Sequence, residues 1–171
     1  RPLQVFLLLV LYSTGLSAQM VVDPAGIPAP LRSFQPPESS GHLQCHIQPL
    51  RPTLNLGFRF QTGYRIELPL KQFAGESRSV GIVLRVTPQK SERDPVWLAS
   101  KVRLPAAPDK KAVAEWSGGY IVGEGDYRVD MVIADDHDNM CTSKWTMHAK
   151  MSDTVRSAIP GLASGAVDDF S

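Results

Sequence analysis

The stretch "YRVDMVIADDHDNMCTSKWTMHA", residues 127–149, decides the fold. Tyr127, Val129, Met131 and Ile133 alternate with Arg128, Asp130 and Val132. After a polar break, Cys141, Ser143, Trp145, Met147 and Ala149 alternate with Thr142, Lys144, Thr146 and His148. Successive side chains on a strand point to opposite faces, so a period of two predicts two strands, each with one apolar face. The break "ADDHDN" is rich in Asp and Asn, whose side chains bond their own backbone in turns.

The same alternation extends upstream. Leu54, Leu56, Phe58 and Phe60 share a face in "LNLGFRF", and "QTG" after it reads as a tight turn. Tyr64, Ile66, Leu68 and Leu70 share the next face, with Pro69 marking an edge strand or a strand end. Val80, Ile82, Leu84 and Val86 follow, then Val96, Leu98, Val102 and Leu104. Repeated strands of this kind bury their apolar faces by packing two sheets together, so the expected fold is an all-β, antiparallel, two-sheet sandwich over residues 42–150. The 14 prolines and 13 glycines fit many turns, and the interior of this region shows no amphipathic helix and no repeat.

Charge narrows the partners. Lys and Arg total 18 against 17 Asp and Glu in 171 residues, so no basic excess points to nucleic acid. Residues 1–18, "RPLQVFLLLVLYSTGLSA", combine a basic start, an apolar run from Val5 to Tyr12 and small residues ending at Ala18. That layout predicts a secretory signal peptide cleaved before Gln19, with no stable membrane span afterwards. Arg1 in place of Met points to a trimmed start. Residues 19–41 are proline-rich and read as a linker or arm, and residues 151–171 as a tail or the start of a truncated following segment. The expected location is secreted or periplasmic.

Export bears on the two cysteines. Cys45 shares a face with Leu43 and Ile47, and Cys141 with Trp145 and Met147, whereas His42, His46 and His148 take the opposite faces. A Cys/His metal centre needs converging ligands. The expectation is therefore a buried Cys45–Cys141 disulfide between a first and a last strand, with two free thiols or a metal as the competing readings.

The segment "GGYIVGEGDYRVDMVIADDHDNMC" resembles the Gly-x-Tyr-x-Val strand and Asp-rich turn of secreted bacterial immunoglobulin-like and fibronectin-III-like modules. Gly125 and Tyr127 match the start of that strand. The resemblance implies an immunoglobulin-like sandwich in which the Tyr127 hydroxyl ties back to the backbone as a tyrosine corner. The chain departs from antibody-type domains in that Val129, not Cys, follows the tyrosine by two residues.

Catalytic and cofactor motifs are not found. There is no Gly-x-Ser-x-Gly elbow, no His-Glu-x-x-His and no phosphate-binding glycine loop ahead of a helix, and "GLASG" at 161–165 has its serine at the wrong spacing. Asp135, Asp136, Asp138 and Asn139 supply hard oxygen atoms suited to calcium, but without the glycine and terminal glutamate of a helix-loop-helix calcium site, so a polar hairpin loop is the preferred reading. Trp97 and Trp116 are the candidate ligand-binding residues, since exposed aromatics on a sandwich stack against sugar rings. Trp97 has the opposite parity to Val96 and Leu98, and packing under the N-terminal arm is its competing role. The function expected from sequence is a non-catalytic exported module for protein interaction or structural support in the cell envelope, with an envelope protein as partner. A carbohydrate-binding module using the two tryptophans on a polysaccharide is the alternative.

Overall fold

The computed structural model of the chain describes residues 19–38, 40–106, 109, 111–153 and 163–169, so the signal-peptide segment lies outside the described residues. The strands are β1 (Met20–Val21), β2 (His46–Leu54), β3 (Phe60–Pro69), β4 (Arg78–Gln89), β5 (Val96–Leu104), β6 (Val113–Val122), β7 (Gly125–Asp135), β8 (Met140–Ala149) and β9 (Val167–Asp169). They form a five-stranded sheet in the order β1-β5-β4-β7-β8 and a four-stranded sheet in the order β2-β3-β6-β9, with every strand pair antiparallel. The protein is an all-β sandwich.

The inner faces are those set by the period of two. Val80, Ile82, Leu84 and Val86 of β4 and Tyr127, Val129, Met131 and Ile133 of β7 are fully buried against Ile66 and Leu68 of β3 and Tyr120 and Val122 of β6. Pro69 ends β3, so its missing N–H removes no bond from the strand interior. The expected tyrosine corner is present: the Tyr127 hydroxyl donates to the Gly123 carbonyl at 2.8 Å. Gly125 takes φ +151°, a value side chains rarely adopt, and so lets the chain turn into β7.

The tight turn expected at "QTG" is not a turn. "QTG" lies inside β3, and Ser117, Gly118 and Gly119 lie inside β6, with Gly63 directly opposite Gly119. These glycines serve close approach. A Cβ on Gly63 would collide with the Gly118 carbonyl, and one on Gly118 with the Tyr64 hydroxyl. The actual hairpin sits earlier. Asn55 Oδ1 accepts from the N–H groups of Gly57 and Arg59, both at 3.0 Å, and Phe58 takes φ 56°. Leu56, expected on an apolar strand face, is therefore at the loop tip and fully exposed. The side chain of Asn55 fixes a local turn that the apolar alternation of "LNLGFRF" conceals.

The flanking segments join the fold. β1 pairs with Ala99 and Leu98, and Val22 N–H donates to the Trp97 carbonyl at 2.9 Å. A one-turn 3₁₀ segment, Pro24–Gly26, is capped by Asp23, and a short helix, α1 (Ala29–Ser33), ends at Phe34 in the left-handed region with φ 52°. Phe34 and Ile27 bury themselves on the outer face of the five-stranded sheet against Val83, Val132, Ala134 and Met140. Within the segment read as a tail, β9 adds to β6, and the Gly123 N–H donates to the Ala166 carbonyl at 2.9 Å. Three residues are too few to display a period, so only the open edge of β6 identifies this strand.

Cys45 and Cys141 are disulfide-bonded, with their Cα atoms 6.3 Å apart and a sequence separation of 96. Both are half-buried at the margin of the core rather than at its centre. Closing so long a loop stabilises by about 4–5 kcal/mol through loss of unfolded-chain entropy. The double variant Cys45→Ala/Cys141→Ala is expected to lose about 2–5 kcal/mol in urea unfolding. Leu84→Ala should cost a similar about 2–5 kcal/mol through the cavity it leaves, while Leu56→Ser should change stability by under about 0.5 kcal/mol.

Candidate functional site

The two sheets do not close on one another at the side formed by β2 and β8. The disulfide spans one end of this side, and the start of β8 is held there by a short parallel bridge: Leu43 N–H donates to the Met140 carbonyl and Met140 N–H to the Gly41 carbonyl, both at 3.0 Å. Because both backbone groups of Met140 point away from β7, the alternation of an antiparallel ladder turns those of Thr142, Lys144, Thr146 and His148 the same way. Among the described residues, no strand pairs with β8 on that edge past Met140. The result is a straight, unbulged row of backbone donors and acceptors, the arrangement to which an extended segment adds as a further strand.

A groove of about 350 Å³ runs beside this edge. Pro49, Leu50, Arg51 and Pro52 of β2 form one wall, and Trp145, Thr146, Met147 and His148 of β8 the other. β2 is itself poorly suited to pairing. Its register breaks between Leu50 and Thr53, and Pro49 and Pro52 lack N–H groups. Groove chemistry therefore divides between the strands: β8 presents backbone hydrogen-bonding groups, and β2 presents apolar and cationic side chains. Trp145 Nε1 is buried without a partner beside the groove. His148 Nδ1 is engaged with Asp126, whose carboxyl is held below its ordinary range by that contact and by Lys90 Nζ at 3.1 Å.

The two candidate ligand-binding tryptophans are not brought together. Trp97 lies on the outer face of β5 under the arm, stacked on Phe34 with ring centroids 5.4 Å apart. The Arg85 guanidinium lies 4.8 Å from the Phe34 ring centroid and donates through Nη2 to the buried Asp130 at 2.9 Å. Arg128 Nε, at 3.4 Å, is a second cation on that carboxylate. This packing under the arm is the competing role read for Trp97. Trp116 is on the other sheet, packed against the core with its Nε1 buried and unpartnered. The two rings share neither a sheet nor a face.

The Asp-rich loop is built by its own side chains. Asp135 Oδ1 accepts from His137 N–H and Asn139 N–H, both at 2.9 Å, and Oδ2 accepts from Asn139 Nδ2 at 2.8 Å. The Asp136 carboxyl is held low chiefly by the Ser79 N–H it accepts from, and it faces Arg78 at 3.7 Å. These are the bonds of a polar hairpin loop. Among the described residues, no three His, Cys, Asp or Glu converge as metal ligands.

Sequence reasoning missed the groove and edge because an edge is defined by what fails to pair with it. The legible signal was Pro49 and Pro52 in β2, which mark a strand that does not accept a neighbour. No family model matches the chain, and no curated protein is similar enough to match it.

The interior beside this site holds three buried tyrosines with different hydroxyl partners. Tyr64 bonds Gln19 Oε1 at 2.7 Å, Tyr120 lies 3.7 Å from Met147 Sδ, and Tyr127 makes the corner bond. Burial pushes Tyr64 and Tyr127 up to about 12 from an ordinary 10.0, and raises Tyr120 as well. A tyrosine that holds its proton more tightly when folded contributes stability that is whole below pH about 10 and is lost as pH rises toward about 12. Alkaline titration of residues 19–171 should therefore show no tyrosinate absorbance until far-UV dichroism begins to collapse above pH about 10. A native-state tyrosinate signal at pH about 10 would contradict this burial.

Proposed function

We propose that this protein is a non-catalytic exported module that binds a protein of the cell envelope by strand addition. The observation that carries the reading is the open β8 edge, with the backbone groups of Thr142, Lys144, Thr146 and His148 directed outward beside the groove. Main-chain bonding along such an edge supplies affinity, and alternate side chains of the added strand supply specificity. Arg51 on the groove wall and Lys144 on β8 favour an acidic partner strand. The Cys45–Cys141 bridge supports an oxidising compartment, in line with the signal peptide read over residues 1–18 and cleavage before Gln19. Among the described residues, no helix is long and apolar enough to cross a membrane.

Thr146→Pro tests the reading directly. The outward N–H of Thr146 bonds nothing in β7, so proline there removes an edge donor and blocks an incoming strand while the β7–β8 ladder stays intact. Affinity for the partner cross-linked from envelope extract should fall about tenfold or more, the effect of losing one to two main-chain hydrogen bonds. Val113→Ser, on the far side of the other sheet, should leave it unchanged. Unaltered binding by Thr146→Pro, or capture of polysaccharide in place of protein, would refute the proposal.

A further inference from the structure

Gln19 sits immediately before β1, and its side chain reaches the inner layer of the sandwich. Its Oε1 accepts a hydrogen bond from the Tyr64 hydroxyl at 2.7 Å. Tyr64 is 1% exposed and lies near the middle of β3. Gly118, opposite Tyr64 on β6, leaves room for the pair, since a Cβ there would strike both the Tyr64 hydroxyl and Gln19 Oε1. Gln19 Nε2, by contrast, is buried and has no partner. The seat satisfies a carbonyl and offers nothing to an amide NH₂. A buried donor without an acceptor is costly, so the pocket fits a group that has lost it.

We infer that Gln19 is a modification site, converted to pyroglutamate in the mature protein, with its lactam carbonyl held by Tyr64. The inference rests on the export reading, because cleavage after Ala18 makes Gln19 the N-terminal residue. Its α-amine then attacks its own side-chain Cδ. A new C–N bond closes a five-membered lactam, the Cδ–Nε2 bond breaks, and Nε2 leaves as ammonia with the proton released by the amine. No oxidant, reductant or co-reactant is required. The product keeps Oε1, the atom Tyr64 binds, and lacks Nε2, the atom left unpartnered. It also removes the charge of the α-amine from a chain end that enters the sandwich, where a cation is poorly solvated. β1 then begins on a neutral, anchored residue next to its pairing with Ala99 and Leu98.

The test uses the full chain expressed with its own leader in an exporting bacterial host. Peptide mass analysis should find an N-terminal residue 19 one ammonia lighter than glutamine and refractory to stepwise sequencing. A free Gln19 that persists in the purified protein would overturn the inference and leave the export reading standing. A different N-terminus would overturn the export reading and the inference with it. The seat is tested with a pyroglutamyl peptidase: native wild-type protein should release the residue at least about tenfold more slowly than denatured protein, and native Tyr64→Phe about tenfold faster than native wild type. Equal release from native and denatured wild type would show that Tyr64 does not hold the lactam, whether or not Tyr64→Phe folds.

Discussion

The Cys45–Cys141 bond is the constraint on which the arrangement depends. Hydrogen bonds hold each sheet together internally, but none of the main strand ladders crosses from one sheet to the other. Apolar contact between the inner faces is strong and non-directional, and by itself it tolerates sliding. The disulfide fixes the residue before β2 against the start of β8, and with the Gly41–Leu43 bridge to Met140 it sets the spacing of the two strands at one end. Beyond this closure the groove of about 350 Å³ lies between β2 and β8. The open β8 edge and the covalent closure are two ends of one feature.

The arm has a comparable role on the other face. A five-stranded sheet with Val83, Val132, Ala134 and Met140 on its outer side cannot leave that side in water without cost. Ile27 and Phe34 cover it, and Trp97 and Arg85 join them in a layer that also pairs the buried Asp130 carboxylate. Asp130 is 2% exposed, a position a carboxylate tolerates only when its charge is met. Burial on both faces explains why β7 carries an unbroken run of buried residues from Val129 to Asp135 where a surface strand would alternate.

The groups that folding brings together beside Gln19 are polar yet enclosed. Tyr64 and Tyr120 place hydroxyls in the core, and their partners, Gln19 Oε1 and Met147 Sδ, arrive from other elements. Such networks are costly when incomplete and specific when complete. The Tyr64–Gln19 bond ties the residue before β1 to the inner layer of the sandwich.

The sequence by itself determined whatever a period of two can express. Residue parity named the inner faces of β3, β4, β5, β7 and β8 and placed both cysteines toward the core, while the Tyr127 corner was implied by the resemblance carried by Gly125 and Tyr127. Those are local properties, since a strand's two faces follow from its own backbone. Glycine was misread for the opposite reason. Gly63 and Gly118 look like turn residues in isolation, and only the neighbouring strand, too close for a Cβ, shows why they are there. The hairpin at Asn55 is local as well, made by its bonds to Gly57 and Arg59, but the apolar alternation around it conceals it. The strand Val167–Asp169, the separation of Trp97 from Trp116, the open edge of β8 and the seat of Gln19 were decided by tertiary structure alone, because each is defined by a neighbour distant in sequence or by the lack of one.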